Sequence, residues 1–438
     1  MTKTKGKGRS AWLRALLIGT ALSTAVTALP VSGARADVAS DIEALKAENA
    51  ELREMVKNLT QDMKIMQKTV SKATEAVTSP KTPPKMVSSG NENASLTVAG
   101  QVNRMLFYAD NGVEGQTFNA DNDYSSTRLT ITGKAKVTDD LSMGAVIEGE
   151  LESNSTDSVT MSQDRSTNTN AGFRERKYEV IGESKTFGKI SMGQGSTASD
   201  GTAEEILSGT QVVAGSGIDA LGNQILFLHE DTKASSGRRV TNLFSNFDGL
   251  SRDDRIRYDS PSLAGFTVSG SHIDGDRWDA ALRYANKFSF GELRAAASYF
   301  DAQATGTPGS VSGFDGLAFS VAYEAPFGTN IQATYSENNF EQVGRHTANF
   351  WYVMLGHDFK NLVEFGETSF AVEYAQTQDQ AINGSSGDYI AFVATQQIKK
   401  AATEIYFKLN QYDAELPGNP SVDLEEILIG GLGARVKF

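Results

Sequence analysis

The chain has 438 residues, no cysteine, 41 glycines and 22% charged residues, with 41 Lys/Arg against 54 Asp/Glu. The missing cysteines exclude disulfides, thiolate metal sites and cysteine nucleophiles, and a formal charge of −13 argues against a nucleic-acid partner, whose phosphates select basic surfaces. The histidines His229, His272, His346 and His357 are scattered and no G-x-S-x-G elbow accompanies them, so neither catalysis nor a metal or other cofactor is expected.

Lys3, Lys5, Lys7, Arg9 and Arg14 precede an apolar run from Ala15 to Val31, followed by Ala34-Arg35-Ala36. A basic head, a short apolar run and an A-x-A site describe a secretory signal peptide over 1–36. A membrane-anchor helix is the alternative, but Thr20, Ser23, Thr24, Thr27 and Pro30 interrupt the run. Cleavage before Asp37 removes six Lys/Arg and no Asp/Glu, which takes −13 to −19. No later stretch holds the roughly 18 apolar residues of a spanning helix. The remaining way through a bilayer is a closed barrel, because lipid offers no partner to an unpaired backbone group.

Residues 37–78 carry a heptad. Ile42, Asn49, Val56, Met63 and Val70 stand at a; Leu45, Leu52, Leu59 and Met66 stand at d. Unbroken three-four spacing predicts a coiled coil and therefore a homo-oligomer; a single amphipathic helix packed on a domain is the alternative. Asn49 at an a position would fix register. Residues 79–94, with Pro80, Pro83, Pro84 and Gly90, form an extended linker.

From 95 to the end the pattern predicts an all-β domain of sixteen strands near 95–109, 124–137, 140–153, 172–183, 186–195, 251–260, 265–274, 277–288, 291–301, 314–325, 329–338, 348–359, 367–377, 387–398, 402–413 and 424–438. Side chains alternate faces along a strand. Leu129, Ile131, Ala135 and Val137 alternate with Arg128, Thr130, Thr132, Lys134 and Lys136. A soluble sandwich alternates too. Two features favour a 16-stranded antiparallel transmembrane barrel: short turns alternate with long polar connections (110–123, 154–171, 302–313, 378–386), and aromatics cluster near strand ends (Tyr299-Phe300, Phe288 with Phe290, Phe350-Trp351-Tyr352, Tyr406-Phe407). The last strand alternates to a terminal Phe438 with nothing behind it.

The pattern breaks once, over about 196–250. A connection of this length is functional or disordered, and Ile225-Leu226-Phe227-Leu228 and Leu243-Phe244 give it too much apolar content for disorder.

Arg128-Leu129-Thr130-Ile131-Thr132-Gly133, Lys177-Tyr178-Glu179-Val180-Ile181-Gly182, Phe187-Gly188-Lys189-Ile190-Ser191-Met192-Gly193-Gln194 and Tyr258-Asp259-Ser260-Pro261 through Gly265-Phe266 resemble the general bacterial outer-membrane porins. Asp200 through Glu204-Glu205 to Gly209 resembles the α-proteobacterial type. The resemblance implies a water-filled diffusion channel for small hydrophilic solutes and ions in a Gram-negative outer membrane, with the N-terminal segment in the periplasm. It implies an inward-folded long loop bearing the acids Asp200, Glu204 and Glu205, opposite wall bases Arg128, Lys177, Arg255 and Arg257; Lys134 joins them from alternation alone. Phe438 matches the family's assembly signal. The implied partners are outer-membrane lipid and lipopolysaccharide, the barrel assembly machinery and further copies of the chain as a trimer. The N-terminal heptad departs from the simplest members and is similar to porins with a periplasmic helical extension, so a substrate- or anion-selective channel stays open beside the mild cation preference that overall acidity implies. A second reading is structural: the coiled coil tethers the envelope to peptidoglycan and the barrel is its anchor.

Overall fold

The computed structural model describes residues 93–163, 173–302, 313–418 and 422–438. The signal peptide, the heptad from Ile42 to Val70 and most of the linker lie outside the described residues.

The strands are β1 (Ala94–Asp110), β2 (Gly115–Asp121), β3 (Arg128–Lys136), β4 (Leu141–Glu150), β5 (Arg174–Ser184), β6 (Gly188–Ser196), β7 (Leu226–Leu228), β8 (Ser235–Arg239), β9 (Arg252–Asp259), β10 (Phe266–Ile273), β11 (Arg277–Phe288), β12 (Gly291–Ala302), β13 (Phe314–Glu324), β14 (Thr329–Phe340), β15 (Ala348–Val363), β16 (Gly366–Gln378), β17 (Ser386–Ile398), β18 (Thr403–Leu416), β19 (Val422–Asp423) and β20 (Ile427–Lys437). Sixteen of them, β1, β3 to β6, β9 to β18 and β20, pair antiparallel in chain order. The ring closes where β1 meets β20, from Gln101↔Lys437 to Asp110↔Leu428. Closure removes the free sheet edges that lipid cannot satisfy.

Alternation explains the two faces. Ile147, Met192, Leu282 and Leu355 are exposed on the outside, where the solvent is lipid. Phe187, Phe290, Phe327 and Phe365 ring the short-turn end, with Phe438 beside them; Tyr108, Trp278, Tyr299 and Tyr335 ring the other. Amphipathic rings at these two levels match the two membrane interfaces.

Three features differ from the pattern expected from sequence. The second strand is broken: β2 pairs with the outer half of β1 and β3 with the inner half. The intervening Asn122–Thr127 turns inward, where Asn122 Nδ2 donates to Tyr406 Oη at 2.9 Å. Residues 110–123 are therefore partly strand rather than loop. The aromatic pairs split by alternation: Tyr299 and Trp351 face outward, whereas Phe300, Phe350, Tyr352 and Tyr406 face inward and are buried, so they pack an internal core instead of a girdle. Inside the long connection lie β7, β8 and a short helix α1 (Val240–Leu243).

Candidate functional site

The connection from β6 to β9 folds into the barrel, and two kinds of contact explain why it stays there. The first is apolar. Val212, Val213, Ile218, Leu221, Ile225, Phe227, Val240, Leu243 and Phe244 form one buried cluster with wall residues of β1, β2, β15 to β18 and β20, among them Phe107, Phe118, Phe350, Tyr389, Tyr412 and Ile429. Fully burying one such side chain stabilises by about 1.5–3 kcal/mol.

The second kind is polar. Backbone groups taken inside a barrel need partners, and inward-pointing wall side chains supply them. Ser320 Oγ donates to Thr202 O at 2.7 Å, Thr334 Oγ1 to Ala203 O at 2.8 Å, Thr377 Oγ1 to Leu243 O at 2.6 Å and Tyr412 Oη to Ile218 O at 2.6 Å. The strongest anchor is a fully buried ion pair, Lys408 Nζ to Glu373 Oε2 at 2.9 Å. Lys408 also donates to Val213 O at 2.8 Å, and Glu373 accepts from Gly215 N at 2.8 Å and Tyr352 Oη at 2.7 Å. Each buried charge thus meets an opposite charge and the loop backbone, the condition under which a buried pair persists.

Across the barrel from this packed side lies a cavity of about 770 Å³. Arg128, Arg174, Arg176, Arg252, Arg435 and Lys437 contribute cationic side chains to its lining; Glu204, Asp219 and Asp157 approach from the loops. Arg176 and Arg174 reach it through a β-bulge. Pairing of β4 with β5 shifts between Glu148↔Lys177 and Gly149↔Glu175, and the extra residue re-aims the side chains beyond it. Arg176 then pairs with Glu148 at 2.8 Å and with Glu150, and Arg435 with Glu404 at 2.5 Å. Arg128 is held only by a long contact to Ser125 Oγ at 3.5 Å; among the described residues it has no ion-pair partner.

Glu204 stands on the loop side of the cavity, with Oε1 accepting from Asn246 Nδ2 at 2.8 Å. Burial, and after it the nearby Asp200, push its carboxyl above the ordinary range. Asp248 is raised further, by burial and then by Glu204 and Asp200, while it caps Gly201 N at 2.7 Å and Ala203 N at 2.8 Å. Asp219 is pushed up to about 6, chiefly by burial.

The structure brings together Arg128 and Glu204 at the cavity. Asp200 lies behind it, 4.0 Å from Arg252 Nε. Glu205 turns to the opposite side of the loop, where its N donates to Ser320 Oγ at 3.1 Å and Arg283 and Arg294 lie nearby. Arg255 is almost wholly buried against Glu179 and Gly193 O. Arg257 is occupied by Asp259 at 2.6 Å and Thr197 O at 2.6 Å. Lys177 is half-buried opposite Glu148, outside the lining. Lys134 stands at the short-turn end, paired with Glu183 at 2.7 Å. Phe438 closes on β1, its N donating to Gly100 O at 3.0 Å. Sequence reasoning missed Arg174, Arg176, Arg252, Asp157 and Asp219; the bulge and the loop path that bring them in leave no periodic trace.

No curated protein matches the chain by sequence. Among solved structures, the anion-selective porin from Comamonas acidovorans superposes with a TM-score of 0.55 at 17% identity, covering 79% of this chain and 100% of that one. The outer membrane protein OmpT of Vibrio cholerae superposes with a TM-score of 0.53 at 14% identity, covering 81% and 100%. At such identity the likeness shows the fold. The family model for Gram-negative porins matches residues 82–417. With its closed sixteen-stranded barrel and lipid-facing girdles, the chain belongs to the Gram-negative porin family and is a channel protein of the bacterial outer membrane.

Proposed function

We propose that small hydrophilic solutes and ions diffuse passively along the charged side of the barrel, past a narrowing between loop acids and wall arginines. The observation that carries this is the charged lining of the cavity: Glu204, Asp157 and Asp219 on loops face a wall of Arg128, Arg174, Arg176 and Arg435, in which Glu150 and Glu175 are interspersed. Facing charges of opposite sign orient dipolar solutes and hold water, and pore width sets the size limit. The arginines stay charged at every working pH, whereas burial raises the carboxyls of Glu204 and Asp219. This balance favours a weak anion preference over the cation preference that net charge implies. Reversal potentials in planar bilayers under a salt gradient test the reading. A weak anion preference that Arg128→Gln reduces supports it; an absence of ohmic conductance from folded protein overturns it.

A further inference from the structure

The charges of the cavity are sorted along its axis as well as across it. One side chain assembles the outer group. Thr156 Oγ1 accepts from Asp123 N at 3.0 Å and donates to Ala220 O at 2.7 Å, and Thr156 O accepts from Gly222 N at 3.0 Å. Three segments distant in sequence are tied together in this way, and each brings an aspartate: Asp123, Asp157 and Asp219. Around Asp123 stand Asp157, Glu150 and Asp219, with Arg174 as the cation among them. Glu150 ends β4 and Arg174 begins β5, so this group lies at the long-connection end of those strands.

The inner group has the opposite sign. Arg128 Nη2 and Arg435 Nη1 both donate to Ser125 Oγ, at 3.5 Å and 2.7 Å. Around Arg128 stand Arg176, Arg435 and Arg252, with Glu148 as the acid among them. Lys437 lines the same cavity. Glu404 pairs with Arg435 at 2.5 Å and with Lys437 at 3.5 Å, so one carboxylate serves two cations. Arg435 and Lys437 are the last cations before Phe438, at the short-turn end. An ion that enters from the long-connection side therefore meets acids first and bases second.

Mobile ions gather beside fixed charges of opposite sign. Cations concentrate at the outer acids and anions at the inner bases. A voltage that makes the long-connection side positive drives both populations toward the boundary between the two groups and fills it with carriers. The reverse voltage draws both populations away and depletes it. We propose that the cavity passes ion current unequally in its two directions, more when the long-connection side is positive than when the short-turn side is. The inference rests on the reading that ions diffuse through this cavity. It concerns the order of charges along the path, and not the net preference for one sign.

The test is the current–voltage curve of single channels of the full-length protein, with the same KCl solution in both chambers. At about 0.1 M the screening length is ~10 Å, and current at one polarity should exceed current at the other roughly twofold. At about 1 M it is ~3 Å, and the curve should be ohmic. The sign is checked without knowing which way a channel inserted. Acidifying one chamber to about pH 4, the ordinary carboxyl range, discharges the aspartates that face it, while arginines keep their charge. Asp219 responds first, because burial raises its carboxyl to about 6; Asp123, Asp157, Glu204, Tyr124 and Tyr412 face it. The chamber whose acidification abolishes the asymmetry should be the one that is positive when the current is larger. Asp157→Asn with Asp219→Asn should reduce the asymmetry from the outer end, and Arg128→Gln with Lys437→Gln from the inner end. Equal currents at both polarities in conducting channels at about 0.1 M salt overturn the proposal and leave the diffusion reading standing. Loss of asymmetry on acidifying the opposite chamber also overturns it. Absence of conductance at about 1 M salt overturns both.

Discussion

The two sides of the barrel interior are built on opposite principles. Between β15 and β20 and along the outer half of β1, many inward positions are Phe, Tyr, Ala and Ile, and the long loop is packed onto them as onto a soluble core. Around β3 to β5, inward positions are Arg, Glu, Thr and Lys, and the space before them stays open. Apolar surface drives burial without direction, whereas solvated charge resists it. The asymmetry of the wall therefore decides where the loop lies and where water remains. The buried pair Glu373–Lys408 belongs to the packed side and works as an anchor; the arginines of the open side line the cavity.

The largest expected effect comes from breaking the packed side. Lys408→Met leaves Glu373 buried without its counter-charge, which costs about 3–5 kcal/mol. The heat-modifiable barrel should unfold at lower temperature and its conductance should become noisy as the loop detaches. Glu373→Gln added to Lys408→Met should recover most of the stability, because no lone charge then remains. If Lys408→Met unfolds like the native chain, the pair is not the anchor.

Charge changes on the open side should leave stability alone and move selectivity. At about 0.1 M salt the screening length is ~10 Å, so single charges at the narrowing are felt. Arg128→Gln should shift the reversal potential toward cations, and Glu204→Gln toward anions. Glu205→Gln should shift it less, since Glu205 turns to the far side of the loop. Equal shifts from Glu204→Gln and Glu205→Gln would contradict this placement.

A smaller effect follows from pH. Asp219 has its carboxyl raised to about 6, so it is charged above that value and loses its charge as pH falls through it. Between about pH 7.5 and pH 5 the reversal potential should drift toward anions, and Asp219→Asn should reduce the drift. The same sign applies to stability: a carboxyl raised on folding makes the loop most stable at low pH, and that contribution is lost as pH rises from about 4 toward 6. The smallest effect belongs to Lys134→Gln. Its pair with Glu183 is exposed on both sides, worth about 0–1 kcal/mol, and it lies away from the cavity. A clear selectivity change in this variant would mean that the short-turn end contributes to the narrowing.

How much of this was legible in the sequence follows from what periodicity records. Strands such as Leu141–Glu150 and Phe314–Glu324 alternate cleanly because one face meets lipid, so strand number and order were readable. The break at Asn122–Thr127 was not, because it is set by a contact distant in sequence, Asn122 to Tyr406. Lys177 stood out by its family-like motif, yet a one-residue bulge carries Arg174 and Arg176 to the cavity instead. Glu204 was readable as a loop acid; its neighbour Glu205 faces away, since adjacent residues of an irregular loop share no fixed geometry. Asp219 lies in a short turn, Ile218–Ala220, whose position depends on Tyr412 Oη donating to the carbonyls of Ile218 and Leu221.

The central claim, that solutes pass on the charged side only, is tested most directly by thiol accessibility, since the chain has no cysteine of its own. Gln211 is an exposed residue of the cavity lining, and Thr395 is buried on the packed side. A bulky water-soluble thiol reagent should cut the single-channel conductance of Gln211→Cys and leave that of Thr395→Cys unchanged. Block of Thr395→Cys with unaltered conductance in a fully modified Gln211→Cys would contradict the account.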